Sequence, residues 1–528
     1  MPLPLTKEKL HNIFSSRFIN DKFKTLASLP SFKTLKDINK ATLRVKRAIE
    51  NKEKIVIAGD YDADGVISST IMYEFFKQIG VNVEVVIPNR FKDGYGLNKT
   101  VLERINADLI ITVDNGIGSV EAAKLCKEKG IDLIITDHHN PGSKLPDAYA
   151  IVNPKQVDCE FPYKDMCGAQ VAWYFLASLK AEMSIDIDLS AFLDLVTIAI
   201  IADMVDLRCL NRAMAKKGIK YLNRSNRFVM VALKQRYKKE NFTFTDIGFL
   251  IAPLINSAGR LEDASVAFKF LTSTSLQEAE GNLEYLISLN DERKQIQNDI
   301  YELALKNVSK DKNIIVVYGD DWHEGVLGIV ASKLTREFKR PSIVLSINGD
   351  MAKGSARGIG SFDLFSRINE HKHFLLGFGG HKSAAGISLL RENIEGFKQA
   401  LEKSTKNVNE DIFTEEGLLG ELDLKYVDLN LLELMEEFEP FGMGNKRPVF
   451  SSTNLLINDV ASFGKLNAHM KYFFNNSSVE AIMFYSNKII NKNEKVDISF
   501  TVSKNEFRGN VSAQVLLETI ENIKDNNV

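Results

Sequence analysis

Only four cysteines occur in 528 residues, at positions 126, 159, 167 and 209, and no two form a Cys-x-x-Cys pair. That scarcity excludes a disulfide scaffold and a cysteine-built zinc site, and it fits reduced thiols in the cytoplasm. Neither sign of charge is in excess: 67 Lys and Arg against 69 Asp and Glu leave a net charge of −2. Whole-chain charge therefore announces no polyanionic partner, and any nucleic-acid surface has to come from local segregation of basic residues. Long apolar runs are also missing. The nearest, LDLVTIAIIADMVDL, is interrupted by Asp194 and Asp203, too short a gap to span a bilayer. The opening MPLPLTKEKLHNIF lacks the apolar core of a secretory signal. A soluble, cytoplasmic chain without a membrane partner is expected. There is no P-loop, no Rossmann fingerprint, no Ser-His-Asp or Cys-His arrangement, no internal repeat and no low-complexity tract.

What is present is ordinary for a globular protein: 45% apolar and 26% charged residues, with a length that predicts three or four domains. Between residues 54 and 152, short β-branched runs (KIVIAG, VNVEVVIP, DLIITVD, IDLIITD, AYAIVNP) alternate with helical patterns. Buried parallel strands with crossover helices read this way, so the fold class is α/β with a doubly wound sheet. Ligands of such sheets bind outside the carboxyl ends of the strands, where Asp60, Asp114 and Asp137 fall. Residues 165–310 are mostly helical in pattern, and the run from about 276 to 309 reads as a helix connecting two lobes. A second α/β unit follows at 313–408, opening with NIIVVYG. From 448 to 520, five period-two runs predict a small β-barrel of OB-fold type. Eleven Lys and Arg with no acid lie between Arg208 and Lys239. They form a candidate strand-gripping surface, joined by barrel aromatics Tyr472, Phe473 and Phe474 beside Lys471.

Four motifs carry chemistry. GDYDADG (59–65) puts three carboxylates on one strand-to-helix turn. It is not a calcium loop, because the twelfth position is Ile71 where a bidentate Glu is needed, and because a strand precedes it. Three carboxylates so close repel one another, and a divalent cation relieves that. VDNGIG (113–118) sets Asp114 at another strand end. TDHHN (136–140) adds an imidazole that can ligate and a carboxylate that can orient a ring. IADMVD places Asp203 after an apolar helix. An oxygen-rich, imidazole-poor donor set suits Mn²⁺ or Mg²⁺, and two such ions suit hydrolysis at phosphorus.

The ordered set DxD, DNG, DHH and a fourth Asp resembles the DHH phosphoesterase superfamily. GYGL (94–97), INSAGRL (255–261), DWHEGVLGIVASKL (321–334), SARGIGSFDL, GFGGHKSAAG and EPFGMGNKRPVF (439–450) extend the resemblance over almost the whole chain, toward the superfamily's single-strand-specific exonucleases. The resemblance implies that Asp62, Asp64, Asp114, His138 and Asp203 are ligands of two metal ions, with Asp114 bridging. It implies that His139 touches the scissile phosphate and that Asp137 steadies the histidine pair. Many members carry a His four residues before the DxD pair. Here that position is Ala58, and Asp60 is expected to fill the vacancy. Arg90, Tyr95, Ser355 and Arg357 would hold a 5′ phosphate, and Arg260, His323 and His381 would line the path of the first nucleotides.

The implied domains are an N-terminal helical extension (1–50), a DHH catalytic domain with a helical part (51–275), the connecting helix (276–312), a DHHA1-like α/β domain (313–410) and an OB-fold-like domain (411–528). The implied activity is metal-dependent 5′→3′ degradation of single-stranded DNA to mononucleotides in DNA repair and recombination, with a single-strand-binding protein and a helicase as partners. Two other readings stay open on sequence. One is a smaller DHH phosphoesterase acting on oligoribonucleotides or cyclic dinucleotides. The other is a catalytically silent replication scaffold.

Overall fold

The computed structural model describes residues 5–309, 311–413, 417–464, 469–475, 477–484, 490–507 and 510–523. It contains three sheets. The first holds β1 (Ile55–Ala58), β2 (Val83–Val86), β3 (Leu109–Val113), β4 (Asp132–Thr136) and β5 (Ala150–Val152), all parallel, in the order β2-β1-β3-β4-β5. Every residue of β1 and β3 is buried, as strands covered on both faces must be. The chain leaves β1 for β2 on one side and returns to β3 on the other. The crevice between the carboxyl ends of β1 and β3 is therefore the topological switch point. Ala58 pairs with Thr112, and Val113 with Thr136, so Asp60, Asp114 and Asp137 all emerge at one sheet edge.

Helices press on this edge. Ala63–Gln78 starts directly at the DxD turn, with Asp62 as its N-cap accepting from the Asp64 and Gly65 amides. Leu193–Ala202 is buried from Leu193 through Ile200 and ends at Asp203. The long helix runs from Leu276 to Leu305, capped by Ser275. Its last turns, at Ile300, Tyr301 and Ala304, pack with Ile315, Val317 and Val330 of the second α/β lobe.

That lobe is built on β6 (Ile315–Asp320), β7 (Ser342–Asn348), β8 (Met351–Arg357), β9 (Leu375–His381) and β10 (Ala384–Leu390), in the order β6-β7-β8-β10-β9. Only β6 and β7 run parallel. The glycine-rich stretches reach into strands here: Arg357 ends β8, and GFGGH belongs to β9. Glycine weakens strands on average, but it remains where something must approach the backbone closely.

The third sheet comprises β11 (Leu418–Glu421), β12 (Val449–Phe463), β13 (His469–Phe474), β14 (Ala481–Met483), β15 (Lys495–Phe507) and β16 (Asn510–Asn522). A β12–β15 pairing closes it into a barrel. Residues 1–31 and 204–220 belong to the same compact unit as the barrel, whereas 32–203 and 221–416 form the other. The helix Lys7–Arg17 puts Leu10 and Phe14 into a core shared with Phe438, Phe450 and Phe500. Alternation decides the fate of the barrel aromatics. Tyr472 and Phe474 are buried, and Phe473 is half-buried. Lys471 is paired with Glu480 at 2.7 Å. A different group lies toward the surface: Phe463, His469 and Phe484 have ring centroids 5.1–6.5 Å apart, and Phe484 is half exposed. Among the described residues no helix is long and apolar enough to cross a membrane, and all four cysteines are free thiols.

Candidate metal centre

Asp114 is held with φ +62, in the left-handed region that costs a side-chain-bearing residue energy. Asn115 fixes this turn from behind. Its Oδ1 accepts from the Leu97 amide, and its Nδ2 donates to the Ala58 and Val113 carbonyls. The result aims Asp114 at the histidine pair: His138 Nε2 lies 3.1 Å from Asp114 Oδ1, 3.7 Å from Asp203 Oδ2 and 3.9 Å from Asp64 Oδ2. Three overlapping groups have ligand atoms within 4.8 Å of one another: Asp60, Asp62 and Asp114; Asp114, His138 and His139; Asp64, His138 and Asp203. Asp114 and His138 each belong to two, and Asp60 joins the cluster near the position where Ala58 offers nothing.

Electrostatics mark the cluster as incomplete by itself. Burial and neighbouring carboxylates push Asp60, Asp114 and Asp203 well above the ordinary carboxylate range, and Asp64 up to about 6. Burial, then the charge of His139, pushes His138 down to about 3. Oδ1 of Asp114 and Nε2 of His138 are buried and face each other without a well-formed hydrogen bond, while the Met166 backbone acts on the same ring. Buried carboxylates converging on one imidazole are satisfied by a cation, and the donor set fits Mn²⁺ or Mg²⁺.

Asp137 is spoken for. Its Oδ2 accepts from the Ile117 amide, and its Oδ1 accepts from the His138 and His139 amides and faces His139 Nδ1 at 2.7 Å. Burial alone would lower the His139 pKa, but the Asp137 hydrogen bond and charge outweigh it and raise it to about 9. Asp137 thus favours the charged form of the His139 ring at Nδ1, leaving Nε2 as the other ring nitrogen.

Beside this centre lies a cluster of arginines. Arg90 stacks over the Tyr61 ring at 5.0 Å. Arg260 donates to the Gly325 carbonyl at 3.2 Å. Burial, then Arg90, lowers the Arg260 pKa to about 10 and also lowers that of Arg357. Among the described residues none of these three is in an ion pair. Arg90 and Ser355 border a cavity of about 420 Å³ with the backbone of Gly377, Gly379 and Gly386. A phosphate would relieve the mutual repulsion.

The remaining expected residues are placed as follows. Tyr95 stands edge-to-face with Tyr61 at 6.1 Å and His139 at 6.2 Å, on the metal side and not on the wall of the arginine cavity. His323 caps a short turn, its Nδ1 accepting from the Gly325 amide, and meets the Phe91 ring at 5.3 Å. His381 is exposed at the end of β9. The basic run is largely consumed internally. Arg208 pairs with Asp21 at 2.7 Å, Arg212 and Lys216 donate to the Glu437 carbonyl, and Arg227 pairs with Glu74 and Asp194. An acid-free sequence interval said nothing about acids supplied from distant segments.

The helix Gly168–Glu182, expected within the helical stretch, starts against the metal centre, which sequence reasoning did not foresee. Its Gly168 and Ala169 amides donate to Asp64 Oδ2 and Oδ1 at 2.5 and 2.8 Å. A Cβ on Gly168 would lie 2.4 Å from Asp114 Oδ1. Nothing in CGAQVAW betrays that approach. Arg293, on the long helix, is a further basic group acting on Arg260.

Residues 54–200 match the DHH family N-terminal domain, 311–407 the DHHA1 domain and 420–519 the RecJ OB domain. The single-stranded-DNA-specific exonuclease RecJ of Bacillus subtilis is 36% identical over 92% of this chain and 63% of its own length. That of Haemophilus influenzae is 33% identical over 95% of this chain and 93% of its own length. A crystal structure of RecJ from Thermus thermophilus in complex with Mn²⁺ superposes with a TM-score of 0.83 at 26% identity, covering 98% of this chain and 76% of that one. The three domain matches fall, in order, on the sheet that carries the metal-seeking crevice, the second α/β lobe and the closed barrel, and the chain belongs to the RecJ family of single-stranded-DNA-specific exonucleases.

Proposed function

We propose that this chain hydrolyses single-stranded DNA from its 5′ end, releasing mononucleotides, with two divalent cations as cofactors. The observation that carries the proposal is the buried carboxylate cluster converging on Nε2 of His138. Asp60, Asp62, Asp64, Asp114, His138 and Asp203 would hold the ions. When bound, Mn²⁺ or Mg²⁺ supplies an activated water and neutralises charge at phosphorus. The chain's own groups do the rest. Asp137 fixes the His139 ring, and His139 Nε2–H donates to a phosphate oxygen as negative charge accumulates there. Arg90, Ser355 and Arg357 hold the terminal 5′ phosphate, with Arg260 and His323 alongside. Cleavage of the P–O3′ bond leaves a 5′ phosphate on the shortened strand, so each product re-enters the same cavity as a substrate.

A duplex about 20 Å wide does not thread into such a crevice. A helicase that exposes the 5′-ended strand and a single-strand-binding protein that keeps it open are fitting partners, in the cytoplasm and in DNA repair. We assign the catalytic domain to 51–275, the connecting helix to 276–312, the second lobe to 313–410 and the barrel to 411–528, after a helical extension at 1–50.

Strands labelled at either end and incubated with Mn²⁺ test this. A 5′ label should appear as mononucleotide first, and chelation should stop the reaction. Earlier loss of a 3′ label, or equal attack on blunt duplex, would overturn the reading.

A further inference from the structure

A second cavity, of about 940 Å³, opens beside His139 and Asp137 and shares Gly379 and Gly386 with the arginine cavity. It is near the upper end of the roughly 300–1,000 Å³ that encloses drug-sized ligands. Much of its wall is apolar, with Leu97, Ile117, Val120 and Ala122, and the Tyr95 ring stands at its edge. Asn98, also on the wall, is already committed: its Nδ2 donates to the Asp93 carbonyl, and its Oδ1 accepts from the Val101 amide.

Five glycines line it, and they differ in kind. Gly116 and Gly380 have φ of +114 and +146, and a Cβ on either would collide with Thr112 or the Ala384 carbonyl. The fold requires those two. Gly118, Gly379 and Gly386 have no such backbone, and a Cβ on each would meet nothing within 4 Å. Neither conformation nor packing explains the missing side chains. What they leave is space, which is the remaining reason for glycine inside strands such as β9 and β10.

We infer that this cavity takes the sugar and base of the 5′-terminal nucleotide and that it admits bases enlarged by bulky apolar substituents. The inference rests on the proposed 5′→3′ reading. With the terminal phosphate in the arginine cavity and the scissile phosphate at His139, the nucleoside between them has to occupy the space bordering both. Lys99, Ser119, Glu121 and Asn140 also line the cavity, but its larger aliphatic and glycine-backbone portion gives a base room and apolar contact that does not depend on its identity.

The test is single-turnover release of the first nucleotide from 5′-phosphorylated strands. The strands are unmodified or carry a pyrene on C5 of the terminal pyrimidine. The protein should release both at rates within about threefold, and Gly118→Phe and Gly379→Leu should each widen that ratio to at least about tenfold by excluding the enlarged base. Mn²⁺ titration confirms that each variant retains its metal centre. If the native protein releases the pyrene-bearing nucleotide about a hundredfold more slowly, or if both filling variants leave the ratio unchanged, the cavity is not the nucleoside site. If the unmodified strand is not shortened from its 5′ end at all, the proposed function fails first, and the two failures are told apart.

Discussion

At the scale of single residues, the charges at the centre make stability without metal depend on pH in a defined direction. A carboxyl whose folded pKa is raised keeps its proton where the unfolded chain has lost it. The stability it contributes is therefore full below the unfolded value and disappears as pH rises through the folded one. Asp64 does this between 3.8 and about 6, and Asp60, Asp114 and Asp203 act in the same direction. His139 continues the fall from 6.5 to about 9. His138, lowered to about 3, opposes it below 6.5, but it is one group against four. Melting with chelator should show a temperature that falls from pH 5 to pH 8, and saturating Mn²⁺ should flatten that slope. A chelated sample whose melting temperature rises over the interval would contradict the charge assignment.

The arginine cluster beside the metal centre yields a second residue-level expectation. Arg357→Ala removes a charged hydrogen-bond partner of the terminal phosphate, worth about 1.5–3 kcal/mol, or roughly ten- to a hundredfold. The loss should fall on 5′-phosphorylated strands and leave 5′-hydroxyl strands little changed, as paired kcat/KM values would reveal. Equal losses on both would make Arg357 a structural residue or a binder of an internal phosphate.

At the scale of elements, the N-terminus of Gly168–Glu182 is part of the metal centre without contributing a side chain. Two amides steady Asp64, and the bare Cα of Gly168 lets the helix come against Asp114. Gly168→Ala should therefore lower Mn²⁺ affinity by about ten- to a hundredfold, the worth of charge-assisted hydrogen bonds. Calorimetry would measure it, with far-ultraviolet circular dichroism unchanged. Unaltered affinity would show that the helix can withdraw without moving the ligands. The strands and helices themselves were largely legible. The β-branched runs became β1 to β5, NIIVVYG became β6, and the five period-two runs became barrel strands. β8 and β9 were not, because glycine lowers strand propensity, and the close approach of a ligand-sized space is visible only in three dimensions.

At the scale of the whole molecule, the barrel unit includes residues 1–31 and 204–220. Deleting 415–528 would therefore strip the partners of Leu10 and Phe14 and expose a core. Point changes are the cleaner probe of strand capture. Base stacking on an aromatic face is worth about 1–3 kcal/mol, and Phe463, His469 and Phe484 form such a face. The double variant Phe463→Ala, Phe484→Ala should weaken binding of long single strands by roughly tenfold or more, while cleavage of strands a few nucleotides long persists. Anisotropy titrations across salt should show a slope little changed, since stacking releases no counterions. Undiminished long-strand affinity would remove these rings from the DNA path.

The sequence by itself determined the strand ends that carry Asp60, Asp114 and Asp137, the adjacent His138 and His139, and the apolar helix that delivers Asp203. Those features are written in local periodicity and short spacing. It did not determine that Arg208, Arg212, Lys216 and Arg227 serve internal contacts. Nor did it determine that Tyr472 and Phe474 face inward, that Tyr95 sides with the histidines, or that a glycine 54 positions after Asp114 seats the centre. Each of those depends on which distant segment arrives opposite, and only the packed chain decides that.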